Sequence, residues 1–202
     1  MRFFCVCFMF LLSLGAPSGA FADDIALQIE AARGAYGKGD PLRALSALQA
    51  ATSQLNQQLI SQFGKILPPA PRGWEASSPE PQPLDGAGGG LSVTQAYSKG
   101  ESTLNASLIV DNPAVGVSAS LFLDGARQAE QPGWSRIKSG GDDVLMRFDP
   151  ATRAGEVLMV IGDRALLQVE GNEIEKNDVL LEIAKGWNVG ALRKLLSRGA
   201  VL

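Results

Sequence analysis

Two apolar runs in the C-terminal half of the chain are separated by a very short polar step. Residues 156–161 and 164–169 flank Gly162-Asp163. A two-residue loop that begins with Gly, between runs rich in β-forming residues, predicts a β-hairpin with a type II′ turn. The first run has apolar residues on both of its faces, which predicts a strand in the interior of a sheet.

Period-two alternation continues on the N-terminal side of this central hairpin. It predicts a first hairpin over residues 91–110 and two further strands over 134–138 and 144–148. Polar capping residues predict helices that start at Asn112-Pro113, near Asn172 and at Asn188, with the first reaching about Gln128, the second ending at Gly186 and the last closed by Gly199. Consecutive strands with helices set apart predict an α+β domain over residues 91–202, with a mostly antiparallel sheet covered by helices on one face.

Helical periodicity extends over the N-terminal part, from residue 24 to residue 63. A break at residues 37–40 is followed by Asp40-Pro41, a cap and first-turn pair that predicts a second helix. The result is a helical hairpin over residues 23–64. In the first helix one apolar face is expected, made of Ile25, Ile29, Ala32 and Tyr36. The second helix carries a leucine seam that must dock on the C-terminal domain or on another chain. The expected partner contacts are Leu45, Leu48, Leu55 and Leu59.

The corner between these helices has a recognisable composition. Residues 39–45 read Gly-Asp-Pro-Leu-Arg-Ala-Leu and resemble the inter-helix corner of a tetratricopeptide unit. That resemblance covers one repeat of about 34 residues, and one such repeat cannot bury its own apolar face. A second copy of the pattern and the aromatic signature positions are missing from the sequence, which favours a generic helical hairpin.

Residues 65–90 contain six prolines followed by a glycine-rich end. This composition predicts a linker that is extended at first and flexible towards its end. Trp74 is the exception, because a lone Trp in such a segment is expected to pack back on the nearest domain.

The N-terminus has the pattern of a targeting segment. Arg2 precedes an apolar run over residues 3–14, and Ala20-Phe21-Ala22 matches a small-x-small cleavage site. The apolar run is shorter than the roughly 20 residues that a bilayer requires. The sequence therefore predicts a signal peptide over residues 1–22, a periplasmic or secreted protein, and no membrane span after cleavage.

Cleavage at this site would leave a chain without the side chains on which many enzymes and metal sites depend. Both cysteines, Cys5 and Cys7, lie in the predicted signal peptide, and the sequence contains no His. Zinc, copper and haem sites and His-dependent nucleophilic catalysis would then lack their usual side chains. No catalytic residue, cofactor or metal site is predicted. The net charge of −3 also argues against binding to nucleic acid.

Three further groups of residues are candidates for a binding site. The acids Asp142, Asp143, Asp149 and Glu156 lack the spacing of a calcium loop and are interpreted as surface residues. The cations at the end of the chain (Lys185, Arg193, Lys194 and Arg198) are interpreted as favourable charges near helix C-termini. Trp134 and Trp187 each follow a Gly, and each ring is expected to seat the next element on the core; an aromatic shelf for a ligand, made by the two rings, is the alternative.

These observations give a leading hypothesis and two alternatives. The first is a non-enzymatic binding or adaptor protein that contacts another protein, or a second copy of itself, through the helical hairpin. The second is a carrier that holds an apolar ligand or lipid between sheet and helices, where small residues such as Ala106, Ala114 and Ala184 would leave space. The third is an enzyme that uses only carboxylates, which would require two acids placed across a cleft.

Overall fold

The computed structural model describes residues 20–123 and 133–198. Within those residues the chain forms five α-helices and one antiparallel sheet of eight strands, which confirms the α+β class. The helices are α1 (Ala20–Gly37), α2 (Pro41–Phe63), α3 (Pro113–Leu123), α4 (Asp178–Gly186) and α5 (Val189–Arg198). The strands are β1 (Glu75–Ala76), β2 (Glu80–Pro83), β3 (Leu91–Lys99), β4 (Ser102–Val110), β5 (Ser135–Ser139), β6 (Asp142–Asp149), β7 (Ala154–Ile161) and β8 (Ala165–Asn172).

The chain divides into two compact units, Met1–Leu55 and Asn56–Leu202. The division lies inside α2, so the last two turns of this helix belong to the second unit. Most of the predicted signal peptide lies outside the described residues, and the predicted cleavage site falls in the first turn of α1.

The first unit is the predicted helical hairpin. Asp40 caps α2, because its Oδ1 accepts a hydrogen bond of 3.0 Å from the backbone N–H of Arg43. Pro41 takes the first helical position, where its missing N–H costs nothing. Apart from Ile25, the residues that this unit buries are alanines, namely Ala32, Ala35, Ala44 and Ala51.

The second unit is organised around β7 and β8. The strand order is β1-β3-β4-β8-β7-β6-β5, and β2 also pairs with β3. β7 therefore lies in the interior of the sheet, as its two apolar faces predict. The turn after it differs from the prediction, because Ile161 pairs with Ala165 and leaves a loop of three residues. Gly162 begins this loop with a φ of 62°, which a residue without a Cβ adopts without strain.

Helices pack on both faces of the sheet. Alternate residues of the central strands, such as Val157, Met159 and Leu167, form the larger core with α4 and α5. The intervening residues Leu158 and Leu166 face the other way and form a smaller core with α3. The arrangement differs from the predicted one-sided cover, because two-sided apolar strands require a partner on each face.

The segment predicted to be a linker, residues 65–90, is part of the second unit. Its first residues, Ile66, Leu67 and Pro68, are buried. The phenol of Tyr97 donates a hydrogen bond of 2.5 Å to the carbonyl oxygen of Pro68, and Asn188 N–H donates one of 3.0 Å to the carbonyl oxygen of Ile66. The apolar residues just before the first proline thus make this stretch part of the core.

The later part of the same segment forms the edge of the sheet. β1 and β2 both pair with β3, and β2 contains Pro81 and Pro83. Proline is compatible with an edge strand, since the N–H that it lacks is not needed there for a further neighbour. Trp74 packs against the larger core, as expected.

Two of the three predicted helix starts in the second unit are confirmed. The side chains of Asn112 and Asn188 accept hydrogen bonds from the N–H groups of Ala114 and Ala191, and they begin α3 and α5. The third prediction was wrong, because β8 continues to Asn172 by pairing with β4, and α4 begins only at Asp178. The predicted end of α3 near Gln128 and the predicted closure of α5 by Gly199 lie outside the described residues.

Candidate functional site

The hairpin of the first unit leaves its leucines in solvent. Leu45, Leu48 and Leu55 are 53%, 48% and 43% exposed, whereas Ala44 and Ala51 of the same helix are buried against α1. Alanine allows two helices to approach closely, but it removes little apolar surface from water. The larger apolar side chains of α2 therefore contribute little to the packing of the first unit.

Two residues of α1 extend this apolar surface. Ile29 and Tyr36 are 46% and 75% exposed, although the sequence predicts that they share one apolar face with Ile25 and Ala32, which are buried. They follow the buried Ile25 by four and eleven residues, and Leu48 and Leu55 follow the buried Ala44 by the same two steps.

Because successive residues of a helix turn by about 100°, these four side chains stand on the same flank of their helices. In an antiparallel hairpin the two flanks form one side. We call this surface the hairpin face; it consists of Ile29, Tyr36, Leu45, Leu48 and Leu55.

The fourth leucine of the predicted partner contact has a different position. Leu59 belongs to the second unit and is partly buried against the larger core, close in sequence to the buried Phe63 and Ile66. Three of the four predicted contact residues are thus exposed together, and the fourth packs inside its own unit.

The two tryptophans of the candidate shelf lie on opposite faces of the sheet. Trp187 is 6% exposed and belongs to the larger core, at the step between α4 and α5. Trp134 packs against the smaller core on the other face. The structure therefore does not bring the two rings together.

The small residues of the carrier hypothesis are also separated. Ala106 and Ala184 are buried in the larger core, among large side chains such as Leu108, Leu180 and Ile183. Ala114 belongs to α3, on the other face. Protein side chains occupy the layer in which that hypothesis places a ligand.

An open cleft of about 490 Å³ lies where β6, β7 and β8 run side by side. Gly155 and Gly171 are paired across β7 and β8 and line this cleft. A Cβ on Gly155 would stand 2.6 Å from Leu180 Cδ1, so the glycine allows α4 to approach the sheet from the far side. The lining also includes the loop after β6, with Asp149 and Thr152.

Three charged side chains of the cleft, Arg147, Glu156 and Glu170, form one connected network with Gln168. Glu156 and Glu170 are directly opposite each other on neighbouring strands. The Gln168 amide donates hydrogen bonds to both carboxylates, at 2.9 Å and 3.2 Å, and Arg147 forms an ion pair of 2.6 Å with Glu156. The guanidinium of Arg147 lies over the ring of Trp134, 4.9 Å from its centre. Glu156 is thus paired with one cation, Arg147, and also accepts a hydrogen bond from the Gln168 amide.

The acids weighed as a calcium site are held apart. Asp142 and Asp143, at the start of β6, pair with Arg193 and Lys138, while Glu156 pairs with Arg147. Hydrogen bonds from the loop that follows β6 hold the pKa of Asp149 below its usual value. Within residues 20–123 and 133–198, no group of three or more His, Cys, Asp or Glu side chains could hold a metal ion.

Among the cations near the end of the chain, the guanidinium of Arg193 pairs with Asp142 of β6. The described helices α1 to α5 do not have the combination of length and hydropathy that a membrane span requires.

The cleft was not found from the sequence. Its signal is the set of polar residues that interrupt otherwise apolar strands, namely Arg147, Glu156 and Gln168. Their positions in three strands become informative only when the register between the strands is known, because the register puts them on one face.

In comparisons with known proteins, no family model, curated protein or solved structure matches the chain.

Proposed function

We propose that this protein is an exported, non-enzymatic binding or adaptor protein whose helical hairpin contacts another protein chain. One observation carries the proposal: the hairpin packs through alanines and leaves Leu45, Leu48 and Leu55 about half exposed on one side. An apolar surface of contiguous large side chains is typical of a site that binds a partner. Export to the periplasm or out of the cell is supported by the N-terminal pattern of Arg2, an apolar run and Ala20-Phe21-Ala22.

The residue types that would remain after cleavage of the predicted signal peptide support a binding role rather than catalysis. The processed chain would contain no His and no Cys. The charged groups of the cleft are engaged with one another through Gln168 and Arg147. Neither of the two acids that face each other there is needed for the proposed contact.

The proposal is tested by photo-cross-linking in the native cell. A photoreactive amino acid is placed at Leu48, in the hairpin face, or at Leu42, which is 80% exposed but stands on another side of α2. We expect a covalent adduct from position 48 and none from position 42. Equal labelling from both positions, or none from either, would remove the hairpin face as a contact surface.

Export is tested in the same cells. N-terminal sequencing of the purified protein should give Asp23 as the first residue, and cell fractionation should recover the protein outside the cytoplasm. A chain that retains Met1 in the cytoplasm would contradict the export part of the proposal and leave the contact part standing.

A further inference from the structure

We infer that the open cleft of the second unit binds a neutral sugar through the hydroxyl groups of the sugar. This site is separate from the hairpin face, and it does not depend on the proposed contact with another chain. The inference is carried by a row of four polar side chains that the strand register brings together on one sheet face, in and beside the cleft.

The row crosses four neighbouring strands at one level. Asn105 of β4 lies directly opposite Glu170 of β8. Glu170 in turn lies opposite Glu156 of β7, which lies opposite Arg147 of β6. Because neighbouring strands are about 4.8 Å apart, the row extends over roughly 14 Å. An amide, two carboxylates and a guanidinium therefore stand side by side on the sheet.

The cleft lies beside the part of this face that α3 covers. Leu145 and Leu158, each two residues from a member of the row, belong to the smaller core with α3. At the row itself, the small residues Ala154, Gly155 and Gly171 help to line the cleft, whose volume is about 490 Å³. This volume lies within the range of small-molecule sites, which is about 300–1,000 Å³.

Contacts within the protein fix the polar side chains before a ligand binds. The Gln168 amide donates hydrogen bonds of 2.9 Å and 3.2 Å to the carboxylates of Glu156 and Glu170, so one nitrogen holds both groups. Arg147 pairs with Glu156 at 2.6 Å, and its guanidinium lies over the ring of Trp134. Side chains that are already ordered lose little conformational entropy on binding, which favours affinity.

The ordered groups keep hydrogen-bonding capacity for a ligand. A carboxylate accepts about four hydrogen bonds and a guanidinium donates five. Glu170 is exposed and accepts one hydrogen bond from a described side chain, while the side chain of Arg147 is 55% exposed. Asn172, which also lines the cleft, adds an amide that both donates and accepts. Donors and acceptors thus lie close together, and adjacent hydroxyl groups, each of which donates and accepts, are their complement.

The same lining disfavours other classes of ligand. Among the described residues that line the cleft, Asp149, Glu156 and Glu170 face the single guanidinium of Arg147, so an anionic ligand would be repelled. Phe148 is the large apolar residue of this lining, which is too little apolar surface for a lipid chain. A simple amine would use the carboxylates but leave the guanidinium unused, whereas hydroxyl groups bind to both.

Calorimetric titration of the full chain tests the class of ligand. The probes are glucose, galactose, mannose, xylose and N-acetylglucosamine, with the 6-phosphates of the hexoses as matched anions and putrescine as the amine. We expect saturable binding of at least one neutral sugar and weaker binding of its phosphate and of putrescine. No saturable binding of any sugar, or tighter binding of putrescine than of every sugar, would overturn the inference.

Two matched variants test the position of the site. Glu170→Ala removes the carboxylate at the centre of the row and should weaken sugar binding by roughly tenfold or more. Glu182→Ala is the control, since Glu182 is an exposed acid of α4, which packs on the other face of the sheet. It should bind sugar like the parent chain, and circular dichroism shows whether both variants are folded. Unchanged binding in Glu170→Ala, or equal weakening in the two variants, would place the sugar elsewhere and overturn the inference.

The two proposals can fail separately. Sugar binding can be absent while position 48 still yields an adduct with another chain, which would leave the hairpin contact standing. If the sugar binds in the cleft but position 48 yields no adduct, the proposed contact is wrong and the sugar site stands.

Discussion

The two units of this protein use leucine in opposite ways. In the second unit Leu104, Leu108 and Leu167 are at most 1% exposed, whereas Leu45 and Leu48 of the first unit are about half exposed. Full burial of one leucine stabilises the folded state by about 1.5–3 kcal/mol. A leucine that stays exposed does not contribute this free energy. The interior of the first unit is built from alanine instead. The sheet unit thus buries its large apolar side chains, while the hairpin leaves most of its own exposed to solvent.

The largest expected effect is the contrast between a core leucine and an exposed one. Leu167→Ala should lower the free energy of unfolding by about 2–5 kcal/mol, because it leaves a cavity between the sheet and α4. Leu48→Ala should change it by less than about 0.5 kcal/mol. Urea unfolding followed by tryptophan fluorescence measures both, since Trp74, Trp134 and Trp187 all belong to the second unit. Similar losses in the two variants would contradict the comparison.

Glycines give the next contrast. Gly155→Ala should cost about 1–3 kcal/mol, because the new methyl group would press against Leu180 and against the carbonyl oxygen of Arg147. Gly34→Ala in α1 should instead stabilise the hairpin by up to about 1 kcal/mol, because nothing lies within 4 Å of its Cβ position. Thermal unfolding followed by circular dichroism distinguishes the two. If Leu180→Ala does not relieve the loss caused by Gly155→Ala, crowding is not its cause.

A smaller effect is expected for the tyrosine that anchors the segment after α2. Tyr97→Phe leaves the carbonyl oxygen of Pro68 without this donor and should cost about 1 kcal/mol. Tyr36→Phe, on the exposed hairpin face, should change stability by less than about 0.5 kcal/mol.

The same residue makes stability depend on alkaline pH. Burial raises the pKa of Tyr97 above its usual value near 10. The folded state thus keeps the phenolic proton after the unfolded state has lost it, so the free energy of unfolding should fall as pH rises above about 10. In Tyr97→Phe this part of the alkaline decline should disappear, and an identical decline in both chains would count against the buried phenol as its source.

The smallest effect comes from an ion pair at the end of the central hairpin. Arg164 holds both carboxylate oxygens of Asp111 at 2.8 Å, and this contact lowers the pKa of that carboxyl. A lowered pKa stabilises the fold above the unfolded pKa near 4, and that stabilisation is lost as pH falls below it. Asp111→Asn suits the comparison, since Asp111 has a φ of 54°, which Asn tolerates.

Urea midpoints of the two chains should therefore differ at pH 7 and converge at acid pH. The difference should be small, because both side chains are partly in solvent and surface ion pairs contribute little. A difference that stays constant down to pH 2 would show that the carboxyl charge is not responsible.

Local rules in the sequence predicted much of the fold. Asp40, Asn112 and Asn188 cap the helices that follow them, and the two-sided β7 lies inside the sheet, because caps and alternation act over a few residues. The same kind of rule failed at Asn172, where pairing with a distant strand extends β8.

Features that depend on distant partners were not predicted. Composition suggested a linker over residues 65–90, yet Ile66 and Leu67 are buried and β2 pairs with β3. Periodicity placed Ile29 and Tyr36 on one face with Ala32, and the alanines of α2 shift the contact to Ala32 and Ala35. The cleft required the register that sets Glu156 opposite Glu170. Each of these depends on which element packs where, which a local pattern does not contain.

Photo-cross-linking from position 48 in the native cell tests the central claim most directly. The chain with a photoreactive residue at position 48 is compared with the same chain carrying Leu45→Gln/Leu55→Gln, and circular dichroism confirms that both chains keep their helices. The account predicts a covalent adduct with another protein chain from the first and loss of most of that adduct from the second. A helical parent chain that yields no adduct, or an equal yield from both chains, would contradict it.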